Sequence, residues 1–329
     1  MEENKLLEIK DLYVEYHTMD GVAKALNGVN LSIDRGEALG LVGETGAGKT
    51  TLALSILDLL STEVGRIPKG EIWFDGINLR DKKNKKMLQK IRGNRISMIF
   101  QNPLTSLNPV FTVGEQIAMV YRQHEGLSKK EAWKKAGEML ATVGIDPSRV
   151  VEYPHQFSGG MRQRVGIASS LVCKPDLLIA DEPTTALDVT IQAQVLELMK
   201  NLQSQYRMSL IMITHNLGIV AELCDKVAVM YAGQIIEYGP VEQVFKNPAH
   251  PYTVGLIGAL PDIKVKKSRL TPVGGIMSDP MHLPEGCKFN PRCTKCTDRC
   301  KCEQPQMIEI EEGHYVACFA SCTAERSGE

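Results

Sequence analysis

The sequence predicts an α/β fold around a largely parallel sheet, with a helical block inserted into it and a small cysteine-rich region at the end. Three observations carry this. Short apolar runs alternate with helix-spaced segments over the first 260 residues, the pattern of buried parallel strands joined by helices. A glycine-rich loop, Gly43-Glu-Thr-Gly-Ala-Gly-Lys-Thr50, stands between one such run and one such segment. Seven of the nine cysteines lie between Cys287 and Cys322. A chain of 329 residues, 43% apolar and 23% charged, has room for roughly two domains of about 150 residues and a normal core.

The elements follow from the spacing of apolar residues. Runs at 6–16, 38–42, 71–74, 96–100, 177–180 and 210–213 read as strands. Helical periodicity follows Lys49 and recurs at 113–124, 129–143, 160–172 and 191–206. Residues 102–171 lack strand signals and read as a helical subdomain. Asn247-Pro-Ala-His-Pro opens a short apolar helix that ends near Leu260 and Pro261, and a basic linker spans 264–269. The expected division is therefore a domain at 1–260 and a cysteine-rich domain at 261–329. The run Lys82-Lys-Asn-Lys-Lys86 is expected to be solvated.

Composition limits the partners. With 38 Lys+Arg against 39 Asp+Glu, no overall field steers the chain onto nucleic acid, and no nucleic-acid partner is expected. Met1-Glu-Glu-Asn-Lys carries acids where a leader would carry bases, so none is expected. The most apolar stretch, 208–221, is interrupted by His215 and Asn216, so no membrane span is expected either.

Gly43 to Thr50 is a phosphate-binding pattern. Glycines turn successive backbone N–H groups inward, and the helix that follows adds its positive end. Gly43, Glu44, Thr45, Gly46, Ala47, Gly48, Lys49, Thr50 and Thr51 are the expected ATP cradle. Lys49 reaches the β- and γ-phosphates and Thr50 ligates Mg²⁺. The apolar run ending in Asp181-Glu182 delivers two carboxylates at a strand end, Asp181 for the Mg²⁺ side and Glu182 to orient or deprotonate the attacking water. Ser158-Gly159-Gly160-Met-Arg-Gln163 opens another helix with exposed N–H groups. A second phosphate site in the same chain hints at a dimer in which each chain closes on its partner's nucleotide.

In this order, together with Ile213-Thr-His215, these motifs resemble the ATP-binding cassette (ABC) ATPases over about residues 6–245. The resemblance implies a RecA-like P-loop core, an N-terminal antiparallel β subdomain, an inserted helical subdomain and a head-to-tail nucleotide sandwich. It implies further that Tyr16 stacks on adenine, though Tyr13 is close by, and that Gln101 senses Mg²⁺ and the γ-phosphate. Asp188 lies in the loop crossing the dimer interface, and His215 contacts the γ-phosphate. Catalysis then falls to Glu182, His215 and Gln101, Mg²⁺ to Thr50, Gln101 and Asp181, and contacts in trans to Ser158, Gly159, Gly160, Gln163 and Asp188.

Gln101-Asn-Pro-Leu-Thr-Ser-Leu-Asn-Pro109 and His250-Pro-Tyr-Thr-Val-Gly-Leu-Ile-Gly-Ala-Leu-Pro261 narrow the resemblance to the dipeptide, oligopeptide and nickel importers, with dipeptide importers the most similar. That implies two membrane-spanning permease subunits, a second ATPase chain (identical or related), an external substrate-binding protein, and a peripheral place on the cytoplasmic face of the cell membrane. The transported solute stays open, nickel included. A soluble ABC ATPase acting on nucleic acid or ribosomes is the competing class, and it would want fused cassettes or a basic face.

Thiols so close in sequence more often bind metal than form disulfides in a reducing compartment. Only Cys293 and Cys296 have a zinc-knuckle spacing. Lys288, Arg292, Lys295, Arg299 and Lys301 stand against one acid, Asp298, which would suit an anionic cluster. The importer resemblance implies a [4Fe–4S] cluster on Cys287, Cys293, Cys300 and Cys318, with zinc or no metal as alternatives. A cluster there would act as a structural staple, so that replacing Cys300 unfolds the tail and leaves ATP binding intact.

Overall fold

The computed structural model describes residues 4–101, 106–185, 187–259 and 273–322. The expected linker at 264–269, the 260/261 boundary and residues 102–105 of the Gln101 segment lie outside them. Strands β1 (Lys5–Thr18), β2 (Gly21–Asp34) and β3 (Ala38–Val42) lead into helix α1 (Lys49–Ile56). Next come β4 (Gly65–Phe74), β5 (Ile77–Asn78), α2 (Lys85–Ile91) and β6 (Ile96–Ile99). A helical stretch holds α3 (Val113–Glu125), α4 (Lys129–Thr142) and α5 (Gly159–Leu171). The chain continues through β7 (Leu177–Asp181), α6 (Val189–Tyr206), β8 (Ser209–Ile213), α7 (Leu217–Leu223), β9 (Lys226–Tyr231), β10 (Gln234–Pro240), α8 (Val241–Lys246) and α9 (Pro251–Gly258). It closes with α10 (Asp298–Cys302), β11 (Ile308–Glu311), β12 (His314–Val316) and α11 (Phe319–Cys322).

The elements form two compact units that interleave along the chain. The first takes the segment up to Leu6, Ile33–Ala38 and Ile77–Ile213; the second takes Leu7–Ser32, Leu39–Gly76 and everything from Thr214. In the first unit β8, β7 and β6 lie side by side, parallel, with Leu177 opposite both Ile96 and Ser209. Every residue of β7 and β8 is buried, which is why these strands read as unbroken apolar runs. The helices begin where the sequence supplies caps. Thr112 accepts from Glu115 N at the start of α3, and Ser128 with Glu131 forms a capping box on α4. Lys82, Lys83, Lys85 and Lys86 are exposed, as expected.

In the second unit β2, β1 and β4 form one sheet. β1 and β4 are antiparallel, with Leu7 opposite Phe74. A second group runs β11-β12-β10-β9-β3. Only β3 and β9 are parallel there; β9, β10, β12 and β11 pair antiparallel in turn. Within this unit the expected parallel pairing holds for β3 with β9 and gives way to antiparallel pairing from β9 outwards, and the outer hairpin is contributed by the cysteine-rich region.

That region has no core of its own among the described residues. Cys287, Phe289 and Cys300 belong to one apolar cluster with Val42 of β3, Tyr231 of β9 and Tyr252 of α9. A buried polar strut adds to it. Glu237 on β10, fully buried, accepts from Ala249 N at 2.7 Å, His250 N at 2.9 Å and His314 Nε2 at 2.8 Å. One carboxylate therefore ties β10, the start of α9 and β12 together, with donors satisfying its buried charge.

Candidate functional site

In the second unit, β3 ends at the glycine-rich loop. Gly43, at φ 150°, and Gly48, at φ 101°, hold left-handed backbone. A Cβ at Gly43 would collide with the Met230 carbonyl, and one at Gly48 would stand 2.7 Å from the Ala25 carbonyl. The loop therefore needs glycine on two independent grounds. Lys49, 8% exposed, folds back along the loop and donates from Nζ to Gly43 O at 2.7 Å and Glu44 O at 2.9 Å. The Tyr16 hydroxyl lies 3.3 Å from Thr51 Oγ1, so the aromatic residue is tied to the first turn of α1.

In the first unit, Asp181 ends β7 with 2% exposure. Glu182 follows at φ +47°, a left-handed conformation that costs a branched-free but long side chain energy and recurs at functional sites. Its amide donates to Ile213 O at 2.9 Å. Its Oε2 accepts from Gln101 Nε2 at 2.9 Å and from Thr185 Oγ1 at 2.9 Å. Gln101 and Glu182, 81 positions apart in sequence, are thus brought into direct contact by uncharged donors.

The remaining residues vary in exposure. Ser158 caps α5 and accepts from Met161 N at 3.4 Å; Ser158 and Gly159 are exposed and Gly160 is half-buried. A Cβ on Gly160 would collide with the Ile191 side chain, so this glycine also serves packing against α6. Gln163, grouped with them from sequence, is only 2% exposed. The turn of α5 points it into its own unit, away from the exposed face that Ser158 and Gly159 present. Asp188 is exposed and caps α6 by accepting from Ile191 N at 2.9 Å. His215, after β8, is exposed.

In the cysteine region, Cys287, Cys300 and Cys318 are buried, Cys293 and Cys296 half-buried and Cys302 exposed. Burial pushes the Cys287 thiol up to about 11, and the thiols of Cys300, Cys318 and Cys293 add to the rise. Cys293 is raised by burial too, with Cys318, Cys296 and Cys300 contributing. The four cysteines singled out from sequence therefore share one neighbourhood. Among the described residues, no group of three or more His, Cys, Asp or Glu side chains is disposed to hold a metal ion. The basic surround expected for an anionic cluster is also weaker than the sequence implied. Arg292 pairs with Glu44, Arg299 with Glu303 and Lys301 with Asp298, so distant or neighbouring acids already neutralise three of the five cations.

Two residues far along the chain, Tyr252 of α9 and Arg292 of the cysteine region, touch the phosphate loop, and sequence reasoning assigned neither a role there. The Tyr252 hydroxyl accepts from Glu44 N at 2.9 Å. Arg292 grips the Glu44 carboxylate with both Nη atoms, at 2.8 and 3.0 Å. Tyr252 stands in the His250-Pro-Tyr-Thr motif, a signal that pointed to it without saying what it holds. Nothing in the local sequence pairs positions 248 apart.

A family profile described as ABC transporter matches residues 26–185, and one described as the oligopeptide/dipeptide transporter C-terminal region matches 236–300. The oligopeptide transport ATP-binding protein OppD of Haemophilus influenzae is 45% identical over 97% of this chain and 98% of its own length. The oligopeptide transport ATP-binding protein AppD of Bacillus subtilis is 47% identical over 95% and 96%. Among solved structures, the ATP-binding cassette MJ0796, in a dimeric post-hydrolysis state bound to ADP and Pi, is similar with a TM-score of 0.64. Its identity is 27%, covering 72% of this chain and 99% of that one. cbiO1 of Clostridium perfringens, part of the transporter complex cbiONQ, gives 0.63 and 30% over 77% and 96%.

Proposed function

Because this chain belongs to the ATP-binding subunits of ABC-type oligopeptide transporters, being 45% and 47% identical to two of them along nearly its whole length, we propose that it drives oligopeptide import through the residues described above. It hydrolyses ATP and couples that reaction to transport. The backbone amides from Gly43 to Thr51 and the Lys49 ammonium hold the β- and γ-phosphates. Tyr16 takes the adenine. Thr50, Gln101 and Asp181 would hold Mg²⁺, which supplies Lewis-acid stabilisation of the charge developing on the phosphoryl group. Glu182 orients the attacking water and accepts its proton, and His215 meets the γ-phosphate. Ser158, Gly159, Gly160 and Asp188 act on the nucleotide of a partner ATPase subunit. Gln163 is left out of that set because it is buried.

The observation that carries this reading is Glu182 itself: a strained backbone at the end of a wholly buried strand, with the carboxylate fixed by Gln101 and Thr185. Two permease subunits and an external binding protein complete the machine, and the chain sits on the cytoplasmic face of the membrane through the permease. Among the described residues no helix is long and apolar enough to cross a membrane. Proteoliposomes holding the chain, its permease subunits and the partner ATPase should take up a labelled oligopeptide only with internal ATP and external binding protein. Uptake that ignores ATP would overturn the proposal.

We propose further that Cys287, Cys293, Cys300 and Cys318 hold a [4Fe–4S] cluster that staples this region. Support comes from the burial of Cys287, Cys300 and Cys318 and from the neighbourhood that Cys293 shares with them. Anaerobically purified protein should contain about four iron and four sulfide per chain; stoichiometric zinc without sulfide, or neither metal, would refute the cluster.

A further inference from the structure

A carboxylate in a phosphate-binding loop is an electrostatic problem, and this chain solves it from a distance. Glu44 is the second residue of the loop, and the triphosphate it would face carries several negative charges. Left alone, the carboxylate would repel that ligand. Arg292, from the cysteine region of the same compact unit, closes on it with a two-pronged hydrogen bond of 2.8 and 3.0 Å. A guanidinium is suited to this because its planar fork meets both carboxylate oxygens at once.

The Arg292 side chain has little freedom to do anything else. It is 5% exposed. Its Nε donates to Gly274 O at 2.7 Å and its Nη2 to Val273 O at 3.2 Å. Its guanidinium lies 5.7 Å from the Tyr231 ring centre and 5.9 Å from that of Phe289. A second anchor comes from beside it. Tyr252, in edge contact with both Tyr231 and Phe289, accepts the Glu44 amide at 2.9 Å. The side chain and the main chain of Glu44 are therefore both held by residues from one aromatic cluster.

We infer that Arg292 is a positioning residue of the nucleotide site, neutralising Glu44 and fixing the start of the phosphate loop so that MgATP affinity depends on the cysteine region. The inference rests on the phosphate-loop assignment proposed above. It also changes an expectation drawn from the sequence. If the cysteine region carries the clamp, disrupting it by Cys300→Ser should weaken MgATP binding as well as loosen the tail.

The test is MgATP affinity of the purified full chain by equilibrium dialysis, with circular dichroism confirming the fold of each variant. Arg292→Gln should bind about tenfold more weakly, because it uncovers a like charge beside the phosphates, and the loss should shrink as salt is raised from about 20 mM to about 300 mM. Glu44→Gln alone, which keeps the loop's backbone amides but leaves the guanidinium uncompensated, should bind about twofold more tightly than the parent. Joining it to Arg292→Gln should restore affinity to within about twofold, a rescue that a purely structural arginine would not show. Arg292→Lys, which keeps the charge without the fork, should lose about threefold and serves where the glutamine variant fails to fold. Unchanged affinity in the Arg292 variants, or an equal loss in Arg292→Gln and the double variant, would overturn the inference. Lys49→Ala is the control: if it binds like the parent, the phosphate-loop assignment falls and the inference falls with it. If it loses binding while Arg292→Gln does not, the inference alone is wrong.

Discussion

Glu44 and Glu182 occupy similar places in the two units: each follows a strand whose five residues are all buried. The hydrogen bonds described for them differ in kind. Glu44 is gripped by a guanidinium whose fork occupies both its oxygens, whereas Glu182 is oriented by the uncharged groups of Gln101 and Thr185. The difference fits the roles proposed for the two carboxylates. A carboxylate beside phosphates that takes no part in the chemistry has its charge compensated. For Glu182, proposed to orient and deprotonate water, the bonds from Gln101 and Thr185 give the carboxylate direction. The supports differ in reach as well. The bonds described for Glu182 come from Gln101 and Thr185 of its own unit, while those for Glu44 come from residues more than 200 positions away along the chain.

Breaking the distant support is the largest test of that contrast. Glu237→Ala removes the acceptor shared by Ala249 N, His250 N and His314 Nε2 and leaves buried donors without it. It should cost about 3–5 kcal/mol, read by urea denaturation. MgATP binding in the folded fraction should weaken with it; undiminished stability would show that the strut does not hold the region together. Acid should act on the same support more gently. Burial holds His250 down at about 4, against the opposing pull of Glu237. The unfolded chain takes up that proton below about 6.5 while the folded one does not. Stability is therefore full above about 6.5 and declines as pH falls towards 4, by at most about 3 kcal/mol. His250→Asn, which can still cap α9, should flatten that slope in melting curves. A smaller effect belongs to the other carboxylate. Thr185→Ala removes one donor from Glu182 and should lower turnover about 3- to 10-fold while MgATP affinity stays put. A fall in affinity in this variant would blur the distinction between the two sites.

Much of this arrangement was legible in the sequence because it is local. The phosphate loop, the Asp181-Glu182 strand end and the Ser158 cap each need only a few consecutive residues, and their strands announce themselves as unbroken apolar runs. β2 is hidden in the sequence although Leu26, Val29, Leu31 and Ile33 are buried along it, since Asn27-Gly28 interrupts the alternation with a turn signal. The β9–β10 hairpin carries a local signal too, two apolar runs joined at Ala232-Gly233. The grip of Arg292 on Glu44 and of Glu237 on His314 was not legible at all. Periodicity reports which face of an element is buried, but it carries no register between segments far apart in the chain. The same limit explains the misjudged charge of the cysteine region, where Arg292 looked like a neighbour of the thiols and is committed to the phosphate loop.

The most direct test of the account is the fate of bound nucleotide in Glu182→Gln. Rapid mixing with radiolabelled MgATP, followed by quenching and separation of the nucleotide retained, distinguishes binding from chemistry. The account predicts affinity within about twofold of the parent and cleavage slowed by roughly 10²- to 10⁴-fold, so that intact ATP accumulates on the protein. Cleavage at the parent's rate, with ADP recovered instead, would contradict it.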